Sequence, residues 1–237
     1  MGAFRRCGGY VAVLALKKEV FGSKLLPMTS IPVSASLRFL AAIALLGSIV
    51  WQIADRVANN LFRPEEYFSY FTIQSSLIAG AVMALSGWWA LTDKPETPTM
   101  ARVRMSVVTF AVVVALVYNL LLRDSAGSPL DAGYVWPVLP NELLHVWGPV
   151  LILLDWLFSK QSEAVRFRAA FWVWAFPFAW LAFSIIRGSI TGWWPYWFID
   201  PTGDGGITGM LTYIFGIMAF LYVTAMLMLV ARRATNR

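Results

Sequence analysis

The sequence predicts an all-α, polytopic integral membrane protein with six transmembrane helices and both termini cytoplasmic. Three observations lead there. Hydrophobic residues make up 59% of the 237 residues and charged residues only 14%, whereas a soluble domain carries about 25% charged residues. Several apolar runs reach about 20 residues, the length that crosses bilayer hydrocarbon. Those runs are continuous rather than alternating, and a backbone in lipid must close its own hydrogen bonds, so helices are favoured over a barrel.

The spans follow in order. The first is Ser36–Ala54, and Pro64 separates it from the second, Phe68–Leu91, which is rich in small residues. The breakers Lys94-Pro95 and Thr97-Pro98 precede the third, Val103–Leu122. Ser128-Pro129, Pro137 and Pro140 lead into the fourth, Asn141–Phe158, which opens on NELLHVWGP and holds the chain's one histidine. The fifth is Phe171–Arg187, and Pro201 precedes the sixth, Ile207–Val230. Proline and its neighbours punctuate chains in this way. The organisation is therefore an N-terminal extension (1–33), a six-helix domain (34–231) and a short basic tail (232–237), with no internal repeat.

Charge sets the orientation. Of the 19 Lys and Arg residues, 15 precede or open the first span, lie between the second and third spans or open the third, lie between the fourth and fifth, or follow the sixth. Only Arg56, Arg63, Arg123 and Arg187 fall on the other side. The positive-inside rule then places both termini in the cytoplasm. Trp88, Trp89, Trp156, Trp172 and Trp174 lie near the inner surface, and Trp51, Trp136, Trp193, Trp194 and Trp197 near the outer one, as interfacial anchors do.

The net charge of +6 therefore reports topology. Nucleic-acid binding needs a concentrated basic face, and none is present. One cysteine, Cys7, and one histidine exclude a Cys-based zinc site and a His-rich metal site, so no cofactor is expected. The expected partners are membrane lipids.

Polar residues inside a bilayer are costly, and their depth is informative. Thr72 lies about one turn below the outer start of the second span, and His145 about one turn below the outer start of the fourth. With a rise of about 1.5 Å per residue, the two share one shallow depth. Asn119, Arg187, Thr208 and Thr212 reach the same level. The Thr72 face continues through Ser75, Ser76, Ala79 and Gly80, a small-residue stripe suited to close packing, and an acyl chain is expected along Ser76–Met83 and the facing part of the fourth span. Gln74 points elsewhere, toward an interhelical hydrogen bond. The His145 face carries Asn141, Glu142, Gly148 and Pro149. Pro149 cannot donate to the His145 carbonyl, and Gly148 leaves room for something to approach. Asp155, at the inner end of the same span, reads as a structural polar contact.

A threonine hydroxyl becomes a useful nucleophile when a neighbouring base takes its proton, and imidazole is the usual base. Thr72 and His145 are thus the candidate catalytic pair for cleaving an ester supplied from the lipid. Glu142, Asn119, Asp55 and Asp200 are open as the group that orients the imidazole. The bland alternatives are a threonine bonded to the carbonyl one turn back and a histidine satisfied by a neighbouring helix.

Three segments carry a resemblance: YFTIQSSLI (Tyr70–Ile78), NELLHVWGPVLILLDW (Asn141–Trp156) and GWWPYWFIDP (Gly192–Pro201). In order and spacing they resemble the androgen-induced protein family, which includes androgen-dependent regulators of tissue factor pathway inhibitor, and its bacterial six-helix relatives. The resemblance runs from about Ser34 over most of the chain. It implies a membrane-embedded threonine hydrolase of lipid esters such as fatty-acid esters of hydroxy fatty acids, with Thr72 and His145 at the matching positions. It also implies a bacterial inner membrane. Substrate contacts are then expected from Ser75, Ser76, Asn119, Glu142, Gly148, Arg187, Tyr196 and Asp200, with GWWPYWFIDP as an outer loop over the site.

Val11–Leu16 is too short to span a bilayer. It reads either as an interfacial helix or as part of an extended gene start, with translation beginning at Met28. Sequencing the mature N-terminus separates the two: a chain starting at Met28 or Thr29 removes the extension.

Overall fold

A computed structural model describes residues 32–123, 133–159 and 165–235 of the chain. The N-terminal extension with Val11–Leu16 and Met28, most of the loop carrying Ser128-Pro129, and Lys160 lie outside the described residues. Those described are 82% helical with no strand. Six helices are long and apolar enough to cross a membrane: α1 Val33–Ala58, α2 Phe71–Leu91, α3 Pro98–Leu122, α4 Val138–Phe158, α5 Phe167–Thr191 and α6 Gly206–Thr235. The protein is a multi-pass membrane protein. Its exterior agrees, with Ile43, Val50, Ile186 and Phe215 all exposed, an arrangement that lipid tolerates and water does not.

Each sequence-derived span is recovered, and the helices extend beyond most of the predicted ends. α3 starts five residues early because Thr97 caps it: its hydroxyl accepts the Met100 N–H at 3.2 Å, and Pro98 sits in the first turn. Proline is well suited to that position, where its missing N–H has no partner to lose. α5 begins as a 3₁₀ segment, Phe167–Trp174, and becomes α-helical at Ala175. Pro177 explains the change, since its ring would clash with the Val173 carbonyl of a regular helix. α5 ends at Gly192 with φ 72°, a left-handed cap that glycine adopts without steric cost.

Small residues set the helix spacing. A Cβ on Gly80 would come within 2.6 Å of Leu46, and one on Gly87 within 3.2 Å of Phe39. Gly80 and Gly87 therefore pack α2 onto α1, while Ser75, Ser76 and Ala79 face α3 and α4 as well. The void beside Ser75, Ser76 and Ala79 measures only about 10 Å³, which corrects the expectation that an acyl chain lies along it. α3 is central and packs against α2, α4, α6 and the 3₁₀ start of α5. Gln74 also differs from expectation. Its amide donates to the Phe68 carbonyl at 2.8 Å, closing the turn before α2 rather than bridging helices.

The far end of α4 holds a buried ionic network. Asp155, 2% exposed, accepts from Arg38 Nε at 2.9 Å, from Arg104 Nη2 and from the Ser159 hydroxyl. Arg38 also donates to the Ser86 carbonyl at 3.0 Å, and Arg104 to Glu96 at 2.6 Å. Arg232 donates to the carbonyls of Trp156 and Ser159. Asp155 is thus a structural contact, as expected. Arg38 and Arg104, counted above as boundary charges, are bundle ties instead.

Asp155→Ala leaves two buried guanidiniums facing each other without their shared anion. Breaking a buried pair from one side costs about 3–5 kcal/mol, so the variant should unfold well below the wild type in a thermal melt in detergent. An unchanged midpoint would mean the network contributes nothing.

Candidate functional site

Thr72 opens α2. Its side chain is buried and lines a half-enclosed, almost wholly apolar pocket of about 80 Å³ between α3, α5 and α6. Val113, Val117 and Tyr118 come from α3, Trp180 and Leu181 from α5, and Ile214 and Ile217 from α6. Tyr196, from the turn after α5, closes it beside Thr72. Since a water takes about 30 Å³ in the liquid, this is room for an ester group and a few methylenes. A longer chain must part the side chains or run out of the open side.

Thr72 does meet a partner, and that partner is Tyr196. The Thr72 N–H donates to the Tyr196 hydroxyl oxygen at 3.4 Å, and the Thr72 hydroxyl and the Phe71 amide also lie against that oxygen. These are first-turn amides of α2, which have no partner inside the helix. Burial pushes the Tyr196 hydroxyl up to about 12, against an ordinary value of 10, so it is neutral and able to donate. Tyr196 stacks on Phe198 with ring centroids 5.1 Å apart and packs on Trp180 at 5.8 Å.

His145 lies beside this pocket rather than in it. Its ring stacks on Tyr118, 3.9 Å between centroids and tilted by 24°, and Tyr118 lines the Thr72 pocket. Thr72 and His145 share no hydrogen bond among the described residues. The Nδ1 of His145 lies 2.9 Å from the Asn141 carbonyl oxygen. A carbonyl oxygen only accepts, so Nδ1 carries the proton and Nε2 of the neutral ring holds the free lone pair. The orienting group is therefore a backbone carbonyl, and none of the four side chains considered for that role takes it.

Two π-helical turns frame this arrangement. Leu143–Trp147 carries His145, and Tyr118–Leu122 begins with the tyrosine that His145 stacks on. Such turns insert a residue into an α-helix and recur at functional sites. The first has its cause in sequence: Pro149 cannot donate to the His145 carbonyl, and Gly148 instead donates to Leu143, five residues back. Arg123 forks onto Glu142 at 2.8 and 3.1 Å and lies over Tyr118 at 5.1 Å. Asn141 Nδ2 donates to the Tyr118 hydroxyl. These contacts pin the two π turns together.

The remaining expected substrate contacts scatter. Ser75 and Ser76 are buried under Thr72, with the Ser75 hydroxyl donating to the Thr72 carbonyl at 3.3 Å. Asn119 is exposed, donating to Ala115 and accepting from Arg123. Glu142 is taken by Arg123. The space beside Gly148 belongs to Leu45, which a Cβ there would approach within 2.6 Å. Asp200 accepts from both the Thr202 N–H and hydroxyl, a local turn away from the pocket. Arg187 lies over Trp193 at 4.4 Å. Asp55 accepts from Tyr134 at 2.6 Å. Tyr118 was not among the sequence candidates, although its ring stacks directly on His145. The one signal for it was its place beside Asn119, at the depth of Thr72 and His145. Compared with known proteins, the chain matches no family model, no curated protein and no solved structure.

Tyr67, outside the spans, is likewise pushed up to about 12 by burial. Tyr67 and Tyr196 should therefore ionise last in an alkaline absorbance titration. With folded values above the unfolded one, each contributes stability that is intact below about pH 10 and lost as pH rises through about 12. Tyr196→Phe should remove one late-titrating group; loss of a group titrating near 10 instead would place Tyr196 in solvent.

Proposed function

We propose that the protein is a membrane-embedded ester hydrolase acting on lipid esters, with Thr72 as nucleophile and His145 as base. The observation that carries this reading is a threonine hydroxyl at the end of a half-enclosed apolar pocket, with backbone N–H groups converging beside it. The Phe71 and Thr72 amides point at one oxygen, that of Tyr196. Converging N–H groups are the donors an oxyanion uses, and the Thr72 N–H, 3.4 Å from that oxygen, must close to about 3 Å to serve as one. A substrate carbonyl taking this place would displace the Tyr196 hydroxyl and keep it as a further donor.

The chemistry is then acyl transfer. The Thr72 oxygen attacks the carbonyl carbon while its proton passes to Nε2 of His145. The tetrahedral intermediate collapses, and the leaving alkoxide takes that proton. Water, deprotonated by the same imidazole, hydrolyses the acyl-threonine and restores the hydroxyl. Tyr118 stands between the pocket and the imidazole, so the proton crosses through a water or after the Tyr118 ring turns aside. Catalytic hydrogen bonds that are long without substrate commonly tighten when it binds.

The basic bias of the sequence supports cytoplasmic termini and a site toward the outer leaflet of a bacterial inner membrane. The resemblance to the androgen-induced protein family supports fatty-acid esters of hydroxy fatty acids as substrates. The second reading is a lipid-binding or transport protein without turnover. The observation favouring it is the missing hydrogen bond between Thr72 and His145.

Purified protein should hydrolyse branched or simple fatty-acid esters, and Thr72→Ala and His145→Ala should each lower turnover by at least about 10³-fold while expressing normally. A lipophilic fluorophosphonate should label Thr72, read by mass spectrometry. Full activity in both variants would rule out the pair, and lipid binding without any turnover would favour the second reading.

A further inference from the structure

α5 carries a cation for which the described residues supply no anion. Arg187 lies one turn before the end of its span. Its guanidinium rests on the Trp193 ring, and its Nη1 is buried with no hydrogen-bond partner. One turn back on the same face, Ser184 is 1% exposed, and its hydroxyl also lacks a partner. No carboxylate pairs with Arg187 among the described residues. At the opposite end of the bundle Arg38, Arg104 and Arg232 each reach a carboxylate or a carbonyl, although Arg232 Nε is also buried without a partner. Ionisable side chains within a span are normally paired. Buried polar groups are normally bonded, and an exception calls for a missing acceptor. Here two such donors stand one turn apart.

Their position connects them to the pocket. Trp180, a turn further back on the same face, forms part of its wall and donates its indole N–H to the Ser69 carbonyl at 2.9 Å. Trp193 meets Tyr70 edge-on at 5.6 Å, and Tyr70 meets Tyr196 at 5.7 Å. Trp194 packs so closely on Gly188 that a Cβ there would come within 2.6 Å of its ring. Ser184 and Arg187 thus share the face of α5 on which Trp180 reaches the pocket wall, about one and two turns further along the helix.

We infer that Ser184 and Arg187 form an anion subsite, which holds the carboxylate or phosphate of an amphiphile whose apolar part enters the Thr72 pocket. Guanidinium offers a planar fork that matches either oxyanion. Ser184 adds one neutral donor, and Trp193 covers the guanidinium. This deepens the hydrolase reading by assigning a place to the free carboxylate that a fatty-acid ester of a hydroxy fatty acid carries, and it rests on that reading for turnover but not for binding.

The test is isothermal titration of the purified protein, in uncharged detergent, with oleate, oleyl phosphate and oleyl alcohol. Wild type should bind at least one of the two anions roughly tenfold or more tighter than the alcohol, the scale of a charge-assisted hydrogen bond. The tighter anion separates a free fatty carboxylate from a phosphate headgroup as the source. Arg187→Gln should bind the anions no better than the alcohol, Arg187→Lys should keep part of the preference, and Ser184→Ala should weaken it roughly twofold to fivefold. A wild type that binds the alcohol as tightly as both anions overturns the inference without any variant having to fold. A folded Arg187→Gln with its preference intact overturns it as well. Thr72→Ala should lose turnover while keeping the anion preference, so failure of the hydrolase reading and failure of the subsite give different results.

Discussion

Asp155 is the group on which the helix register depends. A carboxylate buried in a bundle has no water to fill its lone pairs, so the protein must provide every partner. Arg38 from α1, Arg104 from α3 and Ser159 beyond α4 provide them. Arg38 then reaches the Ser86 carbonyl of α2, and Arg232 of α6 reaches the carbonyls at the end of α4. One anion and three guanidiniums thereby link five helices. Sliding any of them by a residue would strand a charge, a far larger penalty than sliding one apolar surface over another. Lipid-facing apolar surface gives little direction to helix association, so this polar clamp carries the register that a hydrophobic core carries in water.

The Thr72 end is built on the opposite principle. There the helices give up regular hydrogen bonding. α4 inserts a π turn ahead of Pro149, and α3 ends in another. With 3.6 residues per turn, one inserted residue rotates what precedes it by about 100°. That rotation turns His145 onto Tyr118 of α3. A regular wheel drawn through Asn141, His145, Gly148 and Pro149 puts Gly148 at open space, whereas in the structure Leu45 fills that space.

The chemistry at this end follows from which donors and acceptors are left over. First-turn amides of α2 have no intrahelical partner and converge on the Tyr196 oxygen. The Nε2 of His145 is left with its lone pair because the Asn141 carbonyl fixes the tautomer. The Ser184 hydroxyl and Arg187 Nη1 are left as buried donors. At the clamped end each guanidinium meets a carboxylate or a carbonyl, with Arg232 Nε left over as well.

The six spans, their order and the proline breaks between them could be read from the sequence, because apolar run length and missing N–H groups act locally. The same local logic singled out Thr72 and His145 as candidates, located the freed carbonyl at Pro149 and read Asp155 as structural. Tertiary structure alone decided that Thr72 faces Tyr196, that Tyr118 separates it from His145, and that a main-chain carbonyl orients the imidazole. It also assigned Glu142 to Arg123, Asp200 to its own turn, and the small-residue stripe to neighbouring helices. Each of these depends on the rotation of one helix against another. That rotation follows from an inserted π residue and from a distant ionic clamp, and neither leaves a periodic trace in the residues it reorients.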